Sequence, residues 1–219
     1  MKKNFLKLNK ACPAKLVLKR SGGFSLLEVM VAILILTIAV TSLFTLIYKS
    51  LFAAEYANNQ ITATYLAQEA IDYVRNDRDT TAFQGKDWNT FLLHYGNSSV
   101  PMSDCYASSP STGAHWGCSF DVTDWAWLPT STKIQDCNPS IYPITFGASP
   151  CPTFFYNDVP PQGGYYTYTS TPVPTSFKRQ IFMATSQSGN ELDITVKVEW
   201  LNGSLAESET LNESLLRWQ

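Results

Sequence analysis

Few residues in this chain have the type and spacing to do chemistry. His94 and His115 are the only histidines, and they stand isolated. No nucleophile–base arrangement, phosphate loop or metal-ligand spacing includes them. Asp104, Asp121, Asp124 and Asp136 offer oxygens of the kind calcium takes, yet they lack the dense alternation of a calcium loop. His115 and Cys118 match no zinc spacing. Trp116, Trp125 and Trp127 suit either a ligand-stacking platform or the anchoring of a loop. The pattern therefore predicts no enzyme, no metal and no cofactor. One residue stands out instead. Glu28 is the single charge between Phe24 and Tyr48, one turn inside an apolar run. A carboxylate there costs a few kcal/mol, so it is expected to have a partner and a role. Just before it, Gly22-Gly23 allows the backbone to extend into a protease cleft, whereas everything after is strongly helical.

The element that carries Glu28 reads FSLLEVMVAILILTIAVTSLFTLIY, 25 residues, and about 20 suffice to cross a bilayer. A buried core helix of this length would show a polar face. A cleaved secretory signal would have a shorter apolar region closed by a small-residue cleavage site; this run continues into Lys49. Residues 1–23 hold seven basic residues and no acid. Such a block stays on the cytoplasmic side, so the C-terminal body is expected to be exported. The other 196 residues hold nine basic and eighteen acidic residues, a net of −9 behind a total of −2. That excludes a nucleic-acid surface spread over the whole body, although a small basic patch remains compatible with DNA. With 45% hydrophobic and 16% charged residues, the chain is neither disordered nor fibrous. Four cysteines lie in the exported part: Cys105, Cys118, Cys137 and Cys151. In an oxidising compartment they predict two disulfides with three possible connectivities, of which the sequential pairs Cys105–Cys118 and Cys137–Cys151 close the shortest loops.

No glycine or proline occurs between Gly23 and Gly85, so one helix is expected over 24–78. In its second half Phe52, Tyr56, Ala63, Ala67, Ala70 and Val74 recur at three-, four- or seven-residue steps, an amphipathic face for a soluble domain. Asp87–Tyr95 has an Asp cap and an apolar Trp88/Phe91/Leu92 face, which predicts a short second helix stopped by Gly96. All twelve prolines but Pro13 fall between Pro101 and Pro174, so residues 96–175 read as loop-rich, with a strand at the Tyr165/Tyr166/Tyr168 cluster. Leu192, Ile194, Val196, Val198 and Trp200 alternate with Asp193, Thr195, Lys197 and Glu199, a half-buried strand. Phe177–Thr185 precedes it, and Asn202-Gly203 predicts a hairpin turn into a third strand within 205–212. The expectation is an antiparallel meander, wet on one face and covered by the amphipathic helix on the other.

The run Lys19-Arg20-Ser21-Gly22-Gly23-Phe24-Ser25-Leu26-Leu27-Glu28 resembles the class III signal of type IV prepilins, with every key position present. That resemblance implies cleavage after Gly23 by a membrane-embedded prepilin peptidase, N-methylation of Phe24, and a role for Glu28 in subunit assembly. A new amine at Phe24 would be a positive charge in low dielectric. A neighbour's Glu28 would neutralise it only on assembly, fixing axial register. One tip pseudopilin of secretion systems lacks this Glu, and many major pilins carry a helix-breaking proline where this chain has Thr45. Both departures point away from those subtypes. The C-terminal stretch from Val198-Glu199-Trp200 to Leu215-Leu216-Arg217-Trp218 resembles V-type minor pilins and I-type pseudopilins.

The resemblance implies an α+β fold, the type IV pilin lollipop: a long N-terminal helix, transmembrane in its first half, packed on a small antiparallel β-sheet domain. The expected divisions are a cleaved basic leader (1–23), a transmembrane half-helix (24–48), an amphipathic half-helix (49–78) and an exported globular domain (79–219). The expected role is a structural minor pilin, at or near the tip of a type IV pilus-like filament. Its partners would be the prepilin peptidase, other pilins or pseudopilins, the inner-membrane assembly platform and the lipid bilayer. The alternatives are a tip adhesin or DNA-uptake pilin using the 96–175 loops, and a pseudopilin of a type II secretion system. The expected location is the inner membrane, then an extracellular or periplasmic filament.

Overall fold

The computed structural model describes residues 23–95, 105–107, 116–122, 134–158, 163–168, 173–186 and 188–217. Helix α1 (Leu26–Phe83) has 58 residues. It runs past the expected end at 78 because no breaker occurs before Gly85. There the Gly85 N–H bonds Ala82 O at 2.9 Å and the Lys86 N–H bonds Thr81 O at 3.1 Å, the paired bonds of a Schellman closure.

The chain divides within α1 into two units, Met1–Lys49 and Ser50–Gln219. In the first, α1 is exposed throughout, and an 18-residue window of it reaches a mean hydropathy of 2.6. Its hydroxyls turn back onto the helix: Thr37 Oγ1 donates to Leu34 O and Thr45 Oγ1 to Ser42 O, both at 2.8 Å. Satisfied in this way, they suit a surface that meets hydrocarbon.

In the second unit α1 buries Ala63, Leu66, Ala67, Ala70, Ile71 and Val74 in a core shared with the sheet. The predicted face is present, filled out by Leu66 and Ile71; Phe52 at its upper end stays 41% exposed. Helix α2 (Trp88–His94) is capped by Asp87, whose carboxylate accepts from the Thr90 N–H at 2.9 Å. It buries Trp88 and Phe91, as expected, and ends at Tyr95; Gly96 lies outside the described residues.

Among the described residues eight strands form one sheet: β1 (Tyr106–Ala107), β2 (Cys118–Phe120), β3 (Ile134–Asp136), β4 (Thr153–Asn157), β5 (Tyr165–Thr167), β6 (Val173–Thr185), β7 (Glu191–Asn202) and β8 (Leu205–Leu216). The last three are the expected meander, with longer strands than predicted. β6 is central. One of its edges takes β7, from Lys178 opposite Glu199 to Thr185 opposite Leu192. The other is shared by β4 near Val173–Lys178, β2 at Ile181 and β1 at Met183–Ala184. The β1–β6 pair is parallel, a departure from the all-antiparallel expectation. The loop-rich region thus also contributes five short strands.

Two local expectations need correction. The β7–β8 turn is not centred on Asn202-Gly203. Asn202 pairs with Leu205, so Gly203 and Ser204 form the loop, with φ +64° at Gly203 and no positive φ at Ser204. Glycine first is the pattern of a type II′ turn. The far face of the sheet is also not uniformly wet. β7 alternates as predicted up to Val198, but Glu199 is 2% exposed, and Lys178 and Gln180 beside it are buried too. The loop closed by Cys137–Cys151 covers Glu199 and Lys178, while Gln180 Nε2 donates to Trp116 O.

Candidate functional site

The predicted N-terminal site lies where α1 begins. Gly23, Phe24 and Ser25 are non-helical and exposed, Phe24 at 79%. Ser25 caps the helix: its Oγ accepts from the Glu28 N–H at 3.2 Å and its carbonyl from the Val29 N–H at 3.2 Å. The spacing Ser25-x-x-Glu28 is that of a capping box, and a carboxylate in the first turn meets the positive end of the helix dipole. Sequence reasoning passed over Ser25 as a cap, although its spacing to Glu28 signals one; its role is local, starting the helix directly after the Gly23–Phe24 bond. Glu28 itself is exposed.

Within Ser50–Gln219, α1 has a second surface. Leu51, Ala54, Asn58, Ile61 and Tyr65 follow three- and four-residue steps and are exposed. Ile61 and Tyr65, at 55% and 67% exposure, are large apolar groups left open. They lie away from the sheet-facing stripe, where another helix can pack.

The candidates in the exported region are drawn into structural roles. Both sequential disulfides, Cys105–Cys118 and Cys137–Cys151, are formed. His94, read as isolated, has its Nδ1 2.9 Å from Asp77 Oδ2. Asp121 accepts from Thr167 Oγ1 and from the Tyr168 N–H. Trp116 is partly exposed, at 38%. His115, Asp104, Asp124, Trp125 and Trp127 lie outside the described residues. Among the described residues no three His, Cys, Asp or Glu side chains converge as a metal site would require.

Sequence reasoning missed the buried polar groups that bind loop and helix to the sheet. The Glu199 carboxylate, 3% exposed, meets Lys197 Nζ at 2.6 Å. It also accepts the Ala148 and Ser149 N–H groups at 3.1 and 2.9 Å. Gly147, at φ +63°, approaches so closely that a Cβ there would overlap the carboxylate. Burial holds the Lys178 ammonium below its usual range, against the attraction of Glu199. Arg179, fully buried, reaches from β6 to α1 and β2.

A family model described as a prokaryotic N-terminal methylation motif matches residues 18–47. No curated protein and no solved structure matches the chain. The motif implies processing by a prepilin peptidase and assembly with other pilins, and with the apolar helix it implies membrane anchoring of an exported C-terminal domain. Residues 18–47 thus carry the class III signal of a type IV prepilin-like protein, the precursor form of a pilin or pseudopilin.

Proposed function

We propose that the chain is a structural minor pilin of a type IV pilus-like filament, acting at or near the tip to help initiate assembly. Prepilin peptidase removes residues 1–23, cutting after Gly23, and N-methylates Phe24. Residues 24–48 then hold the subunit in the membrane, with 49–78 bridging to the exported domain 79–219. On assembly, Glu28 neutralises the new Phe24 amine of a neighbouring subunit. The observation that carries this reading is the methylation motif on a helix whose membrane-length apolar stretch is wholly exposed. Such a surface is covered in turn by lipid and by like helices. The open Ile61/Tyr65 side of α1 supports continued helix packing beyond the membrane. The subunit's work is structural rather than catalytic.

The test is incorporation. Glu28→Ala is expected to insert into the membrane normally but to be missing from sheared filaments. Incorporation of that variant at the parent level contradicts the charge pairing.

A further inference from the structure

We infer that the free edge of β8 is a strand-addition site for an extended, basic segment of a different chain. Among the described residues β8 pairs only with β7. It is twelve residues long, about 40 Å of edge, and its register with β7 runs unbroken from Leu205 to Leu216.

The two-residue loop fixes which groups are free. Asn202 and Leu205 form the closing hydrogen-bonded pair, and such pairs recur at every second position. The Arg217 N–H to Asn190 O bond at 2.8 Å continues that alternation. The N–H and C=O groups of Ala206, Ser208, Thr210, Asn212 and Ser214 therefore point away from β7, and these residues are exposed. Native sheets guard such an edge with lysine, proline, a bulge or a covering loop. Among the described residues β8 has none of these; its guard is the inward-facing charge of Glu207 and Glu209, which turns away a like strand but not a basic one.

Charge identifies the occupant. Glu207, Glu209 and Glu213 lie opposite Trp200, Val198 and Ile194, on the same face of the sheet. Glu213 is engaged by Arg75 at 2.7 Å, whereas Glu207 and Glu209 have no ion-pair partner among the described residues. Antiparallel pairing of two β8 strands, centred on any of residues 207–211, would set at least one glutamate against another. A second copy is thereby disfavoured. A strand with lysine or arginine at alternate positions would meet Glu207 and Glu209 and complete the backbone ladder. This inference goes beyond the filament reading and does not depend on processing at Gly23.

The test titrates the full chain in detergent with a synthetic peptide of alternating lysine and valine. A control peptide is N-methylated at every second backbone amide, which keeps its charge but blocks strand pairing. The first peptide should bind and slow hydrogen exchange at Ala206, Ser208, Thr210, Asn212 and Ser214. The control should bind at least about tenfold more weakly. Thr210→Pro removes an outward N–H and should weaken binding by about tenfold as well. If that variant does not fold, Thr210→Lys, which places a like charge on the edge, serves in its place. Equal binding of the two peptides, protection away from β8, or a dimer of the chain itself through this edge would overturn the inference.

Discussion

Arg179 of β6 donates from Nη1 to the main-chain carbonyl of Leu66 in α1 at 2.9 Å. The same guanidinium bonds Glu69 Oε2 at 3.1 Å and the carbonyl of Phe120, and its Cζ lies 4.9 Å from the Phe154 ring centre. One buried fork therefore ties the helix, β2 and β6 together. Arg179→Met should leave these acceptors unpaired and cost about 2–4 kcal/mol. Arg179→Lys should not restore it, because an ammonium cannot span the three acceptors. Urea midpoints of the full chain in detergent check both.

Glu69 gives this contact a pH dependence. Burial raises its carboxyl above the usual range, against the opposing pull of Arg179. The folded state then holds the proton more tightly than the unfolded chain does. Stability from this group is complete below the ordinary value of 4.5 and falls as pH rises through the raised one. Relative to the parent, Glu69→Gln should therefore be more favourable at neutral pH than in acid. Urea unfolding of both proteins across that window checks the sign; an unchanged difference contradicts it.

Gly147 and Glu199 make a second contact of this kind. Gly147→Ala places a Cβ in the carboxylate's space and a side chain at φ +63°, and should cost about 1–3 kcal/mol. Glu199→Ala should free the same loop, and limited proteolysis should then cut within 139–149 while β6–β8 stay intact.

Reduction tests the two staples. The paired cysteines are 13 and 14 residues apart, which predicts about 3 kcal/mol from each on loop entropy. Loss of Cys137–Cys151 should loosen the loop over Glu199. Loss of Cys105–Cys118 should release β1 from its pairing with Met183–Ala184. Hydrogen exchange at Ala148–Ser149 and at Met183 separates the outcomes.

Local patterns made much of this legible. Breaker-free sequence predicts α1, alternation predicts β7, and Asp87 announces α2, because each depends on neighbours in sequence. The sequential disulfides were one of three pairings open to the same reading. What could not be read depends on distant partners. Glu199 looks like an outward residue of an alternating strand until a loop fifty residues earlier folds over it. Arg179 shares the inward face of β6 with Phe177 and Ile181, but nothing local to it names Leu66 and Glu69 of α1 as its acceptors. The turn at Gly203 was displaced by one residue because Asn202 was taken up into the ladder.

The central claim rests on the bond between Gly23 and Phe24. Mass spectrometry of the membrane-extracted protein, from cells with active prepilin peptidase, tests it directly. The account predicts a chain that begins at N-methyl-Phe24. A chain that retains Met1, or begins at Phe24 without the methyl group, would contradict it.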